Sequence, residues 1–197
     1  MREMLRLLLA IALFSSFSGA LLAAIESGTR ERIEYQQLKF VKGPAIQKIL
    51  EGCTNDPLED RFKLPDGNVE RSFFVGVFDG KPNTVALESY GKGYGGDIGV
   101  IVAVNLENDR IVGVGVTTHS ETPGVGSKAK DDPRFSEQFQ GLSIKDPLKV
   151  KGDGGQIDAV SGATITSRGV CGALVTSADI YMRLKNEIME KVNELKT

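Results

Sequence analysis

The chain has 197 residues, 41% of them hydrophobic and 25% charged, with a formal net charge of -2. That is enough for one well-buried domain plus an anchor, and the near balance of charge gives a nucleic-acid partner no electrostatic footing. The two cysteines lie far apart with no Cys-x-x-Cys, and His119 stands alone, which excludes an iron–sulfur cluster, a c-type haem attachment and a clustered zinc site.

Leu7 to Ile25 carries no charged residue. A membrane-spanning helix needs about 20 mostly apolar residues, which this segment barely reaches. Arg2 and Arg6 ahead of it favour a cytoplasmic N-terminus. Ser18-Gly19-Ala20 leaves open a cleaved signal peptide. Either way the body of the protein is exported. Glu26 to about Leu38 is charged and reads as a helix continuing from the membrane. Pro44 to Leu50 reads as a short helix, with proline in the first turn and Ile46, Ile49 and Leu50 at helical spacing. Cys53 to Gly67 is polar and rich in turn signals.

Strand patterns follow. Arg71 to Phe78 and Thr84 to Tyr90 flank an Asp79-Gly80 turn, and Ile98 to Leu106 and Ile111 to Thr117 flank Glu107-Asn108-Asp109. These spacings predict successive antiparallel hairpins. Asp131 to Phe139 suggests a short helix and Leu148 to Val150 another strand. From about Ser167 to Leu195, Val170, Ala173, Leu174, Ala178, Tyr181, Met182 and Leu184 give a broad apolar helix face. The expected fold is α+β: an antiparallel sheet packed with helices, preceded by one N-terminal transmembrane helix. The expected organisation is an anchor over 1–25, a helical and loop connection over 26–70, and an α+β domain with a C-terminal helix over 71–197.

Three stretches carry chemistry. Asp158-Ala159-Val160-Ser161-Gly162-Ala163-Thr164-Ile165-Thr166-Ser167 sets hydroxyls and a Gly-Ala step just ahead of the long helix. A helix N-terminus offers unpaired N–H groups and partial positive charge to a phosphate, and Gly162 and Ala163 leave room for a bulky ligand; an ordinary serine/threonine helix cap fits the same residues. Gly91, Gly93 and Gly96 satisfy Gly-x-Gly-x-x-Gly, but a strand follows them where a dinucleotide fold needs a helix. Within His119-Ser120-Glu121-Thr122-Pro123-Gly124-Val125-Gly126, Thr122-Pro123-Gly124 reads first as a tight turn. Ser120 and Glu121 beside His119 make no catalytic triad, because adjacent residues of an extended segment point to opposite faces. Cys171 falls on the apolar helix face and reads as a buried free thiol; a disulfide with Cys53 stays open on sequence grounds.

In order and rough spacing these stretches resemble FMN-binding domains, and in particular the G subunits of Rnf/Rsx electron-transport complexes, with the C subunit of the sodium-translocating NADH:quinone reductase more distant. The flavinylation motif of that family is Asp, two residues, Ser or Thr, then Gly-Ala-Thr. Asp158, Ser161, Gly162, Ala163 and Thr164 match it. The resemblance implies covalent FMN joined through its phosphate to Thr164, and not to the neighbouring Thr166 or Ser167. It also implies that Glu121, Thr122 and Val125 lie against the flavin, with Val125 standing where Leu is commoner. Gly95 would belong to a loop whose small residues admit it.

The implied protein is a single-pass inner-membrane subunit with its FMN domain on the periplasmic side. It would relay electrons among the other subunits of an Rnf-type ferredoxin:NAD+ oxidoreductase, without catalysis of its own. A separate flavin transferase would mature it, since nothing in the chain activates a threonine hydroxyl. No metal site and no nucleic acid are implied. The alternative is an exported binding or assembly module without flavin.

Overall fold

The computed structural model describes residues 2–195 and divides into two compact units, Met1–Phe40 and Val41–Thr197. In the first, α1 (Arg2–Gln37) is one uninterrupted helix. Its stretch Arg2–Arg30 is long and apolar enough to cross a membrane, with mean hydropathy of 2.2 and none of it buried within the protein. The leucines and phenylalanines of this stretch stand exposed, as a helix built for lipid leaves them. The helix runs on through the charged residues after Ile25, as expected. A single π-helical turn, Leu38–Lys42, ends it.

The second unit is a five-stranded antiparallel meander in the order β1-β2-β3-β4-β5. The strands are β1 (Arg61–Asp66), β2 (Val69–Phe78), β3 (Lys81–Lys92), β4 (Asp97–Asn105) and β5 (Ile111–Val116). Asp79 and Gly80 both take positive φ (54° and 72°), the geometry that a two-residue Asp-Gly hairpin demands. The expected hairpins are therefore present. The strand β1 lies where only loop was expected. It is an edge strand with one buried residue, Leu64, and it tolerates Pro65 because an edge need not donate every ladder bond.

The two faces of the sheet bury different things. Val85, Leu87, Val100, Val102 and Val104 pack under α5 (Thr164–Glu194), which presents Val170, Leu174, Tyr181, Leu184 and Ile188. The opposite face, with Phe74, Ala86, Ile101 and Ala103, is also buried. Helix α2 (Gly43–Ile49) packs against β4 and β5. Two short helices, α3 (Lys128–Asp131) and α4 (Pro133–Glu137), occupy the region expected to hold one. Leu148–Val150 is not a strand: only a single bridge, Val150 to Ile157, forms there. The chain turns back at once through Lys151–Asp153 and Gly154, whose φ is 81°. A Cβ on Gly155 would collide with the carbonyl of Lys149, so this glycine is what lets the loop fold onto itself. Cys53 and Cys171 are both free thiols.

One close approach seats the first part of α5 on the sheet. A Cβ on Gly91 would run into the carbonyl of Gly169, and one on Gly169 would meet the carbonyl of Lys92 at 2.6 Å. Strand β3 and helix α5 therefore touch backbone to backbone. This brings the head of the helix beside the β3–β4 loop.

Candidate functional site

The three sequence stretches meet at the head of α5. The helix starts at Thr164, one residue beyond a tight turn in which Gly162 takes φ of 78°. Its N-cap, Ala163, has no side-chain acceptor. The first-turn N–H groups therefore receive no cap from that residue and keep their partial positive charge for another acceptor.

The hydroxyls of this turn are sorted by the helix. Thr164 is exposed. Thr166 and Ser167 are buried, at 2% and 0% exposure. Ser167 Oγ donates to the carbonyl of Ala163 (3.0 Å) and accepts from the N–H of Val160 (2.9 Å), stitching the turn to the helix. Thr166 Oγ1 donates to Glu121 Oε2 in a short hydrogen bond. Ser161 and Gly162 are exposed beside Thr164, and Ala163 is buried.

Glu121 is itself buried, at 6% exposure. Its other oxygen, Oε1, accepts from the backbone N–H of Gly95 at 2.7 Å. The glycines around it are packing glycines. A Cβ on Gly95 would strike the carbonyl of Ser120, one on Gly93 would strike Glu121 Oε1, and one on Gly126 would lie 2.8 Å from Glu121 Cβ. His119 Nδ1 accepts from the N–H of Glu121 (3.3 Å), so the lone histidine serves its own loop. Thr122 and Val125 are exposed on the turn that follows. Val125 Cγ1 sits 3.8 Å from where a Cβ of Gly162 would be, so that turn lies against the Gly-Ala step. Tyr94 (75% exposed), Val125 (42%) and Ile165 (49%) leave apolar surface open among these motifs.

Charges flank the turn in pairs. Lys151 Nζ donates to Asp158 (2.7 Å), and Arg168 makes a two-point contact with Asp153 (2.7 and 2.6 Å). The guanidinium holds the Asp153 carboxyl below the usual carboxylate range. Burial, with a contribution from Asp153, pushes the Cys171 thiol up to about 11, so it is no nucleophile at neutral pH. Gln138 grips the Asp158 peptide on both sides, accepting from its N–H (2.7 Å) and donating to its carbonyl (3.2 Å). Neither Gln138 nor the Thr166–Glu121 bond was legible in the motifs. Counting back four from Val170 on the apolar face reaches Thr166, and that is the signal which could have exposed it. Among the described residues no group of three or more metal-binding side chains converges.

Residues 93–178, which span these motifs from Gly93 onward, match the FMN-binding domain family. The chain is 35% identical over 190 residues to the G subunit of the ion-translocating oxidoreductase complex of Cereibacter sphaeroides, covering 92% of this chain and 85% of that protein. It is 30% identical to the protein of the same name from Methanosarcina acetivorans (90% and 94% covered) and 31% identical to that of Vibrio cholerae (94% and 93%). In fold it is similar to the crystal structure of the C subunit of Na(+)-translocating NADH-quinone reductase from Parabacteroides distasonis, with a TM-score of 0.56, 23% identity, and 77% and 94% of the two chains covered. The fold and the motif-bearing head of α5 thus define an FMN-binding domain carried behind a helix fit to span a membrane. Within that class the chain belongs to the family formed by the G subunits of ion-translocating oxidoreductase complexes.

Proposed function

We propose that this chain is an electron-carrying member of a membrane-bound, ion-translocating oxidoreductase complex of the Rnf type, with FMN esterified to Thr164. The observation that carries the reading is the sorting of hydroxyls at the head of α5. Thr164 stands in solvent, whereas Thr166 and Ser167 are buried and already bonded within the protein. Only an exposed hydroxyl can be reached by a transferase, and of the two exposed in this turn, Ser161 and Thr164, Thr164 holds the last position of the motif and the first of the helix. The resulting phosphodiester would carry one negative charge at the helix N-terminus, where the uncapped first turn favours it.

Attachment would form a bond from Thr164 Oγ1 to the flavin phosphorus, with FAD as donor, its diphosphate bond broken, AMP leaving with the electron pair and the hydroxyl proton passing to the transferase. The Thr164 hydroxyl is weak as a nucleophile, and activation falls to the transferase. Bound FMN supplies the electron chemistry; the chain supplies its place and surroundings. Ser161, Gly162, Thr122 and Val125 would border the ring and its phosphate chain. The covalent link removes dissociation, which matters most where a lost cofactor would diffuse away. Helix α1 would anchor the chain, with Arg2 and Arg6 on the cytoplasmic side and the flavin domain outside. The other subunits of the complex would be its electron partners.

The test is Thr164→Ala in the full chain, coexpressed with a flavin transferase. The expected product is folded protein with the mass of its amino acids alone and no yellow fluorescence on a denaturing gel. Undiminished covalent flavin in that variant would reject the assignment.

A further inference from the structure

We infer that Glu121 is a positioning residue: through Thr166 it sets the rotation of the first helical turn so that Thr164 faces outward. The inference rests on Thr164 being the acceptor. Residues two apart on an α-helix lie about 200° apart around its axis. A tether that draws Thr166 inward therefore turns Thr164 to the solvent. Thr166 is 2% exposed and its hydroxyl is bonded to Glu121, while Thr164 is exposed.

The tether is anchored from several directions. Glu121 Oε1 is held by the N–H of Gly95 in the β3–β4 loop (2.7 Å), and its backbone N–H by His119 Nδ1 (3.3 Å). Gly93 and Gly126 are packed so close that neither has space for a side chain beside the carboxyl. Both carboxyl oxygens are thus occupied by protein donors. Among the described residues no ion pair reaches Glu121, so it works by geometry. Ser167 supplies the second point of the clamp by tying Val160 and Ala163 to the same turn.

The test measures the initial rate at which a purified transferase labels the full-length apo chain with FAD in detergent. Alongside it runs amide hydrogen exchange across α5 in the absence of flavin. Thr166→Val keeps the shape and removes the donor; labelling is expected to slow about tenfold, the scale of one lost hydrogen bond to a carboxylate. Thr166→Ser restores the hydroxyl and is expected to recover most of the rate. Glu121→Gln can still accept from Gly95 and donate to Thr166 Oγ1, so it is expected to label much faster than Glu121→Ala. In Thr166→Val, exchange is expected to speed up at residues 164–167 and to stay unchanged around Tyr181.

Labelling of Thr166→Val at the wild-type rate would overturn the inference. So would Glu121→Gln labelling as slowly as Glu121→Ala, which would make the carboxylate's charge the working feature. Loss of protection along the whole of α5 would also overturn it, by making the bond a general stabiliser. A wild-type chain that takes up no flavin would instead remove the proposed function, and the exchange measurement would still decide whether the tether exists.

Discussion

Helix α5 is tied to the rest of its unit by two buried carboxyl groups, Glu121 at its head and Asp109 at its middle, and their surroundings differ. Asp109 accepts from Tyr181 OH (2.7 Å) and Lys185 Nζ (2.5 Å), and pairs with Lys145 Nζ at 2.7 Å. Among the described residues Glu121 meets only neutral donors, a hydroxyl and a peptide N–H. Burial alone would raise the Asp109 pKa, but the donors from Lys145, Lys185 and Tyr181 outweigh it and hold the carboxyl well below the usual carboxylate range. Burial first, and then Asp109 itself, push the Tyr181 hydroxyl up. The middle anchor is a charge-balanced cluster that can secure the fold. The head anchor gains little from Coulomb attraction, and what it secures is orientation. Stability thus belongs to one anchor and site geometry to the other, and each claim can be broken separately.

The largest effect is expected at Asp109. Its φ of 57° is one that Asn also adopts, so Asp109→Asn removes charge without backbone strain. Two lysines lose their partner and Tyr181 keeps only a weaker acceptor. The expected loss is about 2–3 kcal/mol in urea unfolding, with labelling of Thr164 per folded molecule unchanged. The pH dependence has a definite sign. The folded pKa of Asp109 lies below its unfolded value of about 3.9. Its contribution is therefore complete at neutral pH and is lost as pH falls below about 4, toward the folded pKa. The stability gap between wild type and Asp109→Asn is expected to close on acidification through that window. A gap that holds constant would show that the carboxylate is not the source.

Tyr181→Phe should be milder. The ring is fully buried and is kept; only the hydroxyl bond to Asp109 goes, and both lysines still neutralise the carboxylate. About 1–2 kcal/mol of destabilisation is expected by the same urea titration. A loss as large as that of Asp109→Asn would mean that the hydroxyl, and not the lysine pair, carries the cluster.

The two anchors also differ in how far the sequence revealed them. The hairpins were legible because Phe73, Phe74, Val75, Val85, Leu87, Val100, Ile101 and Val102 lie in β-branched and aromatic runs bounded by turn residues. The apolar face of α5 was legible from Val170 to Leu184. The start of the helix was read at Ser167 and lies at Thr164, because the inward residues of the first turn, Thr166 and Ser167, are polar and do not extend an apolar pattern. Asp109 was read as a turn residue, which it is; that it also anchors Tyr181 depends on a fold that brings positions 109 and 181 together. The β1 strand escaped because an edge strand with one buried residue carries too little hydrophobic periodicity to register. Thr164 is proposed as acceptor from its motif, whereas the packing of Gly93 and Gly126 against Glu121 emerges only from the fold.

The smallest effect is expected in the stretch of helix between the two anchors. Gly172 lies on the exposed side of α5, and a Cβ there would meet nothing within 4 Å. Gly169, one turn earlier, has the carbonyl of Lys92 in the way. Glycine in an exposed helix interior costs up to about 1 kcal/mol relative to alanine, largely through the freedom of the unfolded chain. Gly172→Ala is therefore expected to stabilise the protein by about 0.5–1 kcal/mol, read as a higher urea midpoint at unchanged slope. Labelling of Thr164 should stay at the wild-type rate, because the rotation of the first turn is set by Thr166 and Ser167 ahead of this position. If stiffening the helix at Gly172 altered the labelling rate, the head of α5 would be taking its orientation from the Asp109 cluster through the helix, and the division of labour between the two carboxyl groups would fail.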